Sequence, residues 1–279
     1  NQYSRHVFEQ TNIQFKIDWY ASAQDFQQKQ KLAIASNDIP DVMLVDESTF
    51  RQLAAADQLE DMTEVYEKYA HPGLKQMYEA TDGVALQKAT YGGKLLAIPN
   101  LSALADSVSL LWVRQDWLDK LQLPAPKTID DVTTIAQAFV ERDPDGDNKA
   151  DTVGLTGNGT SLYSASYTAQ HDFTGIFAAY DSYPGMWIND EAGQIIYSST
   201  TPQTKNALAK IRELYQAGLI DKEFALRKDP NQLVNSGDAG MFFGPWWAPW
   251  PLGDSVKNDP SADWKAYWIT DSEGKYNTH

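Results

Sequence analysis

Three tryptophans and three prolines crowd into the eight residues from Gly244 to Pro251. Neither helical nor strand periodicity explains this composition, and the prolines fix the backbone and keep it out of regular structure. An indole offers a large apolar face and one N–H donor, which suits ligands such as pyranose rings. The alternative is a corner of the core, because Trp is highly buried on average. The pattern favours a ligand site that uses at least one of Trp246, Trp247 and Trp250.

A second group of residues has the spacing of an EF-hand calcium loop. Carboxylates stand at positions one, three, five and nine of this loop, and a backbone carbonyl at position seven can supply a further oxygen. The predicted ligands are Asp143, Asp145, Asp147, the carbonyl of Lys149 and Asp151, with Thr152 as a candidate to complete the shell. The sequence therefore predicts a structural calcium ion in residues 143–152, the alternative being a solvated acidic turn.

Two positions of this loop depart from the usual pattern. Asn148 stands where glycine usually makes the sharp turn, but Asn tolerates the left-handed conformation. Gly154 stands at position twelve, where a bidentate Glu is usual, so we expect the affinity to be reduced. There is only one such loop, which argues against a calcium sensor.

The sequence offers few catalytic groups. The four histidines have no metal-ligand spacing, and each is expected to lie at the surface or to have its hydrogen bonds satisfied: His6, His71, His171 and His279. Residues 157–161 lack the lysine of a phosphate loop and the pattern of a nucleophile elbow. A glycoside hydrolase remains as the enzyme alternative, because it needs only two carboxylates and an aromatic platform.

The first part of the chain predicts a strand, a helix and a second strand. Apolar residues alternate over 13–17, Ser22 can cap a helix that ends at Ala35, and residues 41–45 form a short apolar run. Such a run is typical of a parallel sheet covered on both faces, where ligands gather beyond the carboxyl ends of the strands. Four residues follow these strands directly and are candidate ligand-binding residues: Trp19, Tyr20, Asp46 and Glu47.

The sequence that follows predicts short helices over about 48–80, a turn at 91–93 and a strand at 94–99. The segment that follows, up to residue 106, is polar and rich in small residues, and we place the boundary between two lobes there, with lobe 1 at 1–105 and lobe 2 at 106–279. Lobe 2 is predicted to contain strands near 108–112, 239–243 and 264–269, and helices at 114–121, after Thr128 and after Thr201.

Composition excludes several classes of function. The 38 acidic and 23 basic residues give a net charge of −15, and without a basic cluster nucleic acid is not an expected partner. The absence of cysteine excludes disulfides, thiol nucleophiles and Cys-ligated zinc. No apolar run is long enough to span a bilayer, and the first residues do not have the composition of a signal peptide.

Several segments together resemble the extracellular solute-binding proteins of carbohydrate ABC transporters, the group that includes maltose-binding protein. The segments that carry this resemblance are 39–46, 91–99, 112–121, 126–131 and 240–246. The acidic loop is similar to the calcium loop of a subgroup of large lipoproteins that includes alginate-oligosaccharide-binding proteins. The order and spacing of these segments make the resemblance specific.

The resemblance implies a two-lobed α/β fold, the type II periplasmic-binding-protein fold, that closes on a solute and presents it to a membrane permease. It implies a monomeric, extracytoplasmic protein, either a cell-surface lipoprotein or periplasmic. It would place Asp46, Glu47, Trp246 and Trp247 in the cleft between the lobes, whereas Trp19, Tyr20 and Trp250 match less directly. Family members have a strand before the first helix and a segment that returns to lobe 1, so the resemblance also implies that the fold is incomplete at both ends.

The predicted function is therefore capture of an oligosaccharide for an ABC permease. A binding protein for a peptide or another polar solute is the first alternative. A glycan-binding protein outside transport, or the hydrolase, comes after it.

Overall fold

The protein is described by a computed structural model over residues 2–21, 25–101, 108–164, 170–250, 252–271 and 273–276. The chain divides into two compact units, Asn1–Leu101 and Ser102–His279. The boundary predicted at 105/106 falls within 102–107, outside the described residues. None of the described helices is both long enough and apolar enough to cross a membrane.

The first unit consists of six described helices and one hairpin. Its elements are α1 (Gln2–Thr11), α2 (Phe26–Ala35), α3 (Glu47–Ala55), α4 (Thr63–Tyr69), α5 (Pro72–Glu79), α6 (Val84–Lys88), β1 (Thr90–Tyr91) and β2 (Lys94–Leu95). The predicted turn between the two strands is confirmed, because Gly92 and Gly93 both have positive φ and join β1 to β2 in an antiparallel pair. A small core of Tyr66, Tyr78 and Leu95 fixes this hairpin against α4 and α5.

The two strands predicted at 13–17 and 41–45 are wrong: the structure has irregular chain at both places. Their apolar side chains are exposed, by 68% at Phe15 and 86% at Val42. An alternating pattern forms a strand only where a neighbouring strand pairs with its backbone, and no described strand lies beside either segment. The helix between them is confirmed as α2, while the predicted cap Ser22 lies outside the described residues.

The second unit contains a four-stranded mixed sheet and a separate hairpin. The strands are β3 (Leu110–Arg114), β4 (Val153–Leu155), β5 (Trp187–Asn189), β6 (Ile195–Tyr197), β7 (Ala239–Gly244) and β8 (Trp264–Tyr267). The sheet has the order β4-β7-β3-β8, with β4 parallel to β7 and the other pairs antiparallel, and β5 pairs with β6. Strand β7 is therefore central, and all six of its residues are buried.

The helices of the second unit are α7 (Gln115–Leu121), α8 (Ile129–Glu141), α9 (Thr174–Ala179), α10 (Pro202–Gln216), α11 (Gln232–Ser236) and α12 (Gly253–Asn258). The predicted caps are confirmed. Thr128 and Asp131 form a reciprocal capping box at the start of α8. The side chain of Thr201 accepts from the amide of Thr204, with Pro202 in the first turn of α10.

The two faces of the sheet pack against different cores. Leu111 and Val113 of β3 belong to the larger core, which α8 and α10 cover. Trp112 lies on the opposite face, because side chains alternate along a strand, and it packs in a smaller core with Phe242, Ala248 and Leu252. This smaller core anchors the segment that follows β7.

Candidate ligand and metal sites

Strand β7 leads into a series of tight turns that carries the three indoles. The amide of Ala248 donates to the carbonyl of Pro245, that of Trp250 to Trp247, and that of Leu252 to Pro249, each at 3.1 Å. Each bond closes a four-residue turn, and the turns overlap along the segment. The expectation that no helix or strand includes the indoles is confirmed.

The indoles form one aromatic cluster at the surface. The ring centroid of Trp250 lies 6.2 Å from that of Trp246 and 6.4 Å from that of Trp247. Trp246 is 51% exposed and Trp250 is 78% exposed, whereas Ala248 and Leu252 are buried. The segment therefore inserts Ala248 and Leu252 into the core and presents the rings of Trp246 and Trp250 outward, with Trp247 half-buried, which argues against a core corner. Contiguous exposed aromatic surface is typical of an interaction site.

The four candidates of the first unit lie in two groups. Trp19 packs beside Phe26 at 5.4 Å, and the ammonium of Lys29 lies 5.5 Å from its ring. Lys29 also donates to the carbonyl of Tyr20, whose side chain is exposed.

Asp46 and Glu47 lie at the start of α3. The side chain of Asp46 caps the helix by accepting from the amide of Thr49 at 2.7 Å, which lowers the pKa of Asp46. The hydrogen bond from Arg51 lowers the pKa of Glu47, with a further contribution from the charge of Lys88. Both carboxylates are exposed and ionised at neutral pH, so each has free acceptor capacity for a hydroxyl group.

The acidic loop brings three of its carboxylates together. One oxygen each from Asp143, Asp145 and Asp147 lies within 4.8 Å of the others. The two oxygens of Asp143 accept from the amides of Gly146 and Asn148, both at 3.1 Å, which fold the loop inward. The predicted left-handed conformation of Asn148 is confirmed at φ 62°.

The close approach of these carboxylates changes the electrostatics of the loop. Burial and the neighbouring carboxyl of Asp143 raise the pKa of Asp145. Lys149 pairs with Asp147 through its ammonium, so the loop already contains one cation. Lys120 donates to the carbonyl of Pro144 at 2.7 Å and adds a second positive charge at the rim. Hard oxygens at this spacing suit a divalent cation such as calcium.

The other two predicted ligands are placed differently. Asp151 is exposed and is not one of the three clustered carboxylates. The buried hydroxyl of Thr152 donates to the carbonyl of Phe139 at 2.7 Å. The structure therefore brings together the first half of the predicted ligand set.

A buried polar network that the sequence did not indicate lies beside β7. Thr156 Oγ1 is 2.7 Å from His171 Nδ1, and His171 Nε2 is 3.0 Å from Asn231 Oδ1. This is the order of a nucleophile, a base and an orienting group. His171 is fully buried, however, and Thr156 is 2% exposed, so the hydroxyl is closed to a substrate. Burial lowers the pKa of His171 to about 4, and the neutral ring is structural, as expected for a satisfied histidine.

Next to this network, Asp172 is a buried carboxyl group with an unpaired oxygen. Its Oδ1 accepts from the amide of Thr174 at 3.0 Å, while its Oδ2 has no partner among the described residues. Burial raises the pKa of Asp172 to about 6. At neutral pH the ionised group is held in a site that favours its neutral form.

Asp172→Asn is therefore expected to stabilise the protein above pH 6, by at most about 3 kcal/mol. Below the ordinary pKa near 3.8 the wild-type carboxyl is protonated in both the folded and the unfolded state, so the gain shrinks as the pH falls from 6 to 4. Stability contributed by neutral His171 is lost over pH 6.5 to 4 in both proteins and cancels in the difference. Urea unfolding of the variant and the wild type at several pH values measures this difference in the free energy of unfolding. A difference independent of pH would contradict the assignment.

A groove of about 510 Å³ lies elsewhere in the second unit. None of the predicted ligand-binding residues lines it. Its charged residues are five acids and one base: Asp130, Asp181, Glu191, Asp271, Glu273 and Lys275. The groove lacks the indole platform on which the predicted site depends.

Comparison with protein families gives one match over nearly the whole chain. The family described as bacterial extracellular solute-binding protein matches residues 2–272. Three curated relatives also match, including FusA and YtcQ. The fructooligosaccharide ABC transporter substrate-binding protein FusA of Streptococcus pneumoniae serotype 4 is 30% identical over 81% of this chain and 43% of its own length. The polygalacturonan/rhamnogalacturonan-binding protein YtcQ of Bacillus subtilis is 26% identical over 84% of this chain and 44% of its own length.

Solved structures have the same fold. An EF-hand mutant of S. pneumoniae FusA in complex with fructo-nystose has a TM-score of 0.72, with 24% identity over 98% of this chain and 55% of the other. The alginate-binding protein AlgQ2 without calcium ion has a TM-score of 0.70, with 20% identity over 98% of this chain and 55% of the other. The predicted type II periplasmic-binding-protein fold is confirmed. The chain spans less than half the length of the curated relatives it matches.

Proposed function

This chain belongs to the bacterial extracellular solute-binding proteins, and on that premise we propose that it captures an oligosaccharide for import through an ABC permease. The observation that carries the proposal is the aromatic cluster of Trp246, Trp247 and Trp250, in which Trp246 and Trp250 are exposed and Trp247 is half-buried. Two curated relatives whose names specify fructooligosaccharide and polygalacturonan support it. A family of binding proteins also favours binding over the hydrolase alternative.

The proposed recognition combines stacking with hydrogen bonds. The apolar C–H face of a pyranose or furanose ring lies against an indole, while hydrogen bonds to the sugar hydroxyls fix its orientation. Asp46 and Glu47, ionised and exposed, can accept from sugar hydroxyls. Trp19 and Tyr20 are the further aromatic candidates. We place this activity outside the cytoplasm, in a monomer held at the membrane by a lipid anchor or free in the periplasm.

Titration of tryptophan fluorescence against neutral fructo-oligosaccharides, oligogalacturonates and short peptides tests the function. Saturable quenching or enhancement by at least one sugar class is expected, because exposed indoles respond when a ring covers them. A response to peptides alone would favour the alternative solute. Release of reducing ends from a bound oligosaccharide would instead indicate a hydrolase.

We also propose that residues 143–152 bind one calcium ion with a structural role. The cluster of Asp143, Asp145 and Asp147 supports this, as does the left-handed turn at Asn148. The lysine at position seven contributes its carbonyl, and Asp151 and Thr152 are candidates to complete the shell, directly or through water. Two solved structures of similar fold, an EF-hand mutant of FusA and AlgQ2 without calcium ion, support the same assignment.

Calcium is expected to raise the Tm of EDTA-treated protein by about 5 °C or more. An ion at one hundred times its Kd adds about 2.7 kcal/mol to the free energy of unfolding, and about 2–4 °C accompanies each kcal/mol in a unit of this size. Asp145→Asn removes a central ligand and should abolish the shift, while Glu191→Gln, an exposed acid outside the loop, should retain it. An unchanged calcium shift in Asp145→Asn would refute the site.

A further inference from the structure

We propose that Trp112 and Arg114 are positioning residues for the indole cluster. They hold the two ends of segment 245–259 against β3, so that Trp246, Trp247 and Trp250 keep one arrangement before a ligand arrives. This inference rests on the proposed function, because it assigns the anchors of that same site. The two residues alternate with Leu111 and Val113, so they share the face of β3 opposite the larger core.

Trp112 holds the beginning of the segment. Its indole Nε1–H donates to the carbonyl of Pro245 at 3.1 Å in a buried hydrogen bond. The same carbonyl accepts from the amide of Ala248, which closes the first turn of the segment. The Trp112 ring also stacks on Phe242 with an interplanar angle of 14°. One ring therefore fixes both the last residues of β7 and the first turn that carries an indole.

Arg114 holds the end of the segment. Its guanidinium donates to Asp259 Oδ2 at 2.6 Å and makes two further bonds to Asp116, and its side chain is 2% exposed. The guanidinium lies 4.7 Å from the ring centroid of Trp117 and 6.0 Å from that of Trp264. Trp264 in turn donates to Ser255 Oγ at 3.0 Å, which attaches α12 to the same support.

The part of this segment that carries the indoles, before α12 begins at Gly253, has no helix or strand among its described residues. Ala248 and Leu252 are buried, but the turns from Pro245 to Leu252 each depend on a single backbone hydrogen bond. Without anchors, the indoles would have to be ordered by the ligand, and binding would be weakened by that loss of entropy. Anchored at both ends, the segment presents its rings in a preformed arrangement.

The test is Trp112→Phe, which keeps an aromatic ring against Phe242 and removes the N–H donor. Hydrogen exchange at the amides of Ala248 and Leu252 is expected to become about 3- to 10-fold faster, and affinity for a sugar that the wild type binds to fall by a similar factor. Asp259→Asn weakens the other anchor and should accelerate exchange at the α12 end. Phe177→Leu, in the larger core, is the matched control: it lowers global stability and should leave exchange over 245–252 unchanged relative to the rest of the unit.

Three outcomes separate the positioning role of Trp112 and Arg114 from the proposed binding of an oligosaccharide. Unchanged exchange over 245–252 in both Trp112→Phe and Asp259→Asn overturns the positioning role, whatever the protein binds. Faster exchange with unchanged sugar affinity also overturns it, because the anchored arrangement would not contribute to binding. Faster exchange in a protein whose wild type binds no sugar supports the anchors and rejects the proposed function instead.

Discussion

The double variant Trp246→Ala, Trp250→Ala is expected to weaken oligosaccharide binding by at least 100-fold. These two rings are the exposed part of the indole cluster, and truncation of a central aromatic residue in a binding site costs about 2 kcal/mol or more. Two such losses together correspond to a factor of several hundred in Kd. Because both side chains are at least half exposed, the free energy of unfolding should change little. Calorimetric titration with the sugar that binds the wild type measures the effect.

The matched control is Trp187→Ala, which removes another exposed indole from the same unit. Trp187 is 70% exposed and contacts Tyr197 across the β5–β6 hairpin, outside the segment that follows β7. Its removal should leave the affinity unchanged. Equal losses in the control and the double variant would mean that the cluster has no special role, and full affinity in the double variant would place the sugar elsewhere.

The second large effect is expected from Gly240→Ala in the central strand. A Cβ at this position would lie 2.1 Å from Phe139 Cδ2 and 2.9 Å from Trp117 Cε3, closer than nonbonded carbon atoms can approach. Both rings are fully buried and cannot move without disturbing their own neighbours. Overpacking of this kind costs about 3 kcal/mol, which corresponds to a fall in Tm of about 10 °C for a unit of this size.

Thermal unfolding followed by circular dichroism measures this loss, and Gly253→Ala controls for the change of residue type. A Cβ at Gly253 meets no atom within 4 Å, so this substitution should be neutral. If both variants had the Tm of the wild type, β7 would not be as tightly packed as the structure indicates. The prediction concerns folding alone and does not depend on what the protein binds.

Features set by neighbouring residues could be predicted from the sequence. The cap at Thr128 needs only Asp131 three residues later, and the cap at Thr201 is indicated by the proline that follows it. The turn at Gly92 and Gly93 needs positive φ at both residues, which glycine adopts freely. The three clustered carboxylates of the acidic loop lie within a stretch of five residues, so their spacing alone predicts that they come together.

Features that depend on distant partners could not be predicted in this way. The segments 13–17 and 41–45 have strand patterns, but the pattern carries no information about whether a neighbour is present to pair with them. Arg114 meets Asp259 across 145 residues, and Trp112 meets Pro245 across 133. No spacing between residues close in sequence predicts such contacts. The indoles were recognised by composition, whereas the residues that support them required the structure.

The ammonium of Lys149 beside Asp147 has a consequence for how the acidic loop responds to its surroundings. The loop carries an internal monovalent counterion, so its carboxylates are partly neutralised and the turn can keep its shape when calcium is scarce. A divalent ion that used the same oxygen of Asp147 would compete with that ammonium, so the lysine would lower the apparent affinity of the loop for calcium. Such a loop would be filled in calcium-rich media and held by its own side chain in dilute ones.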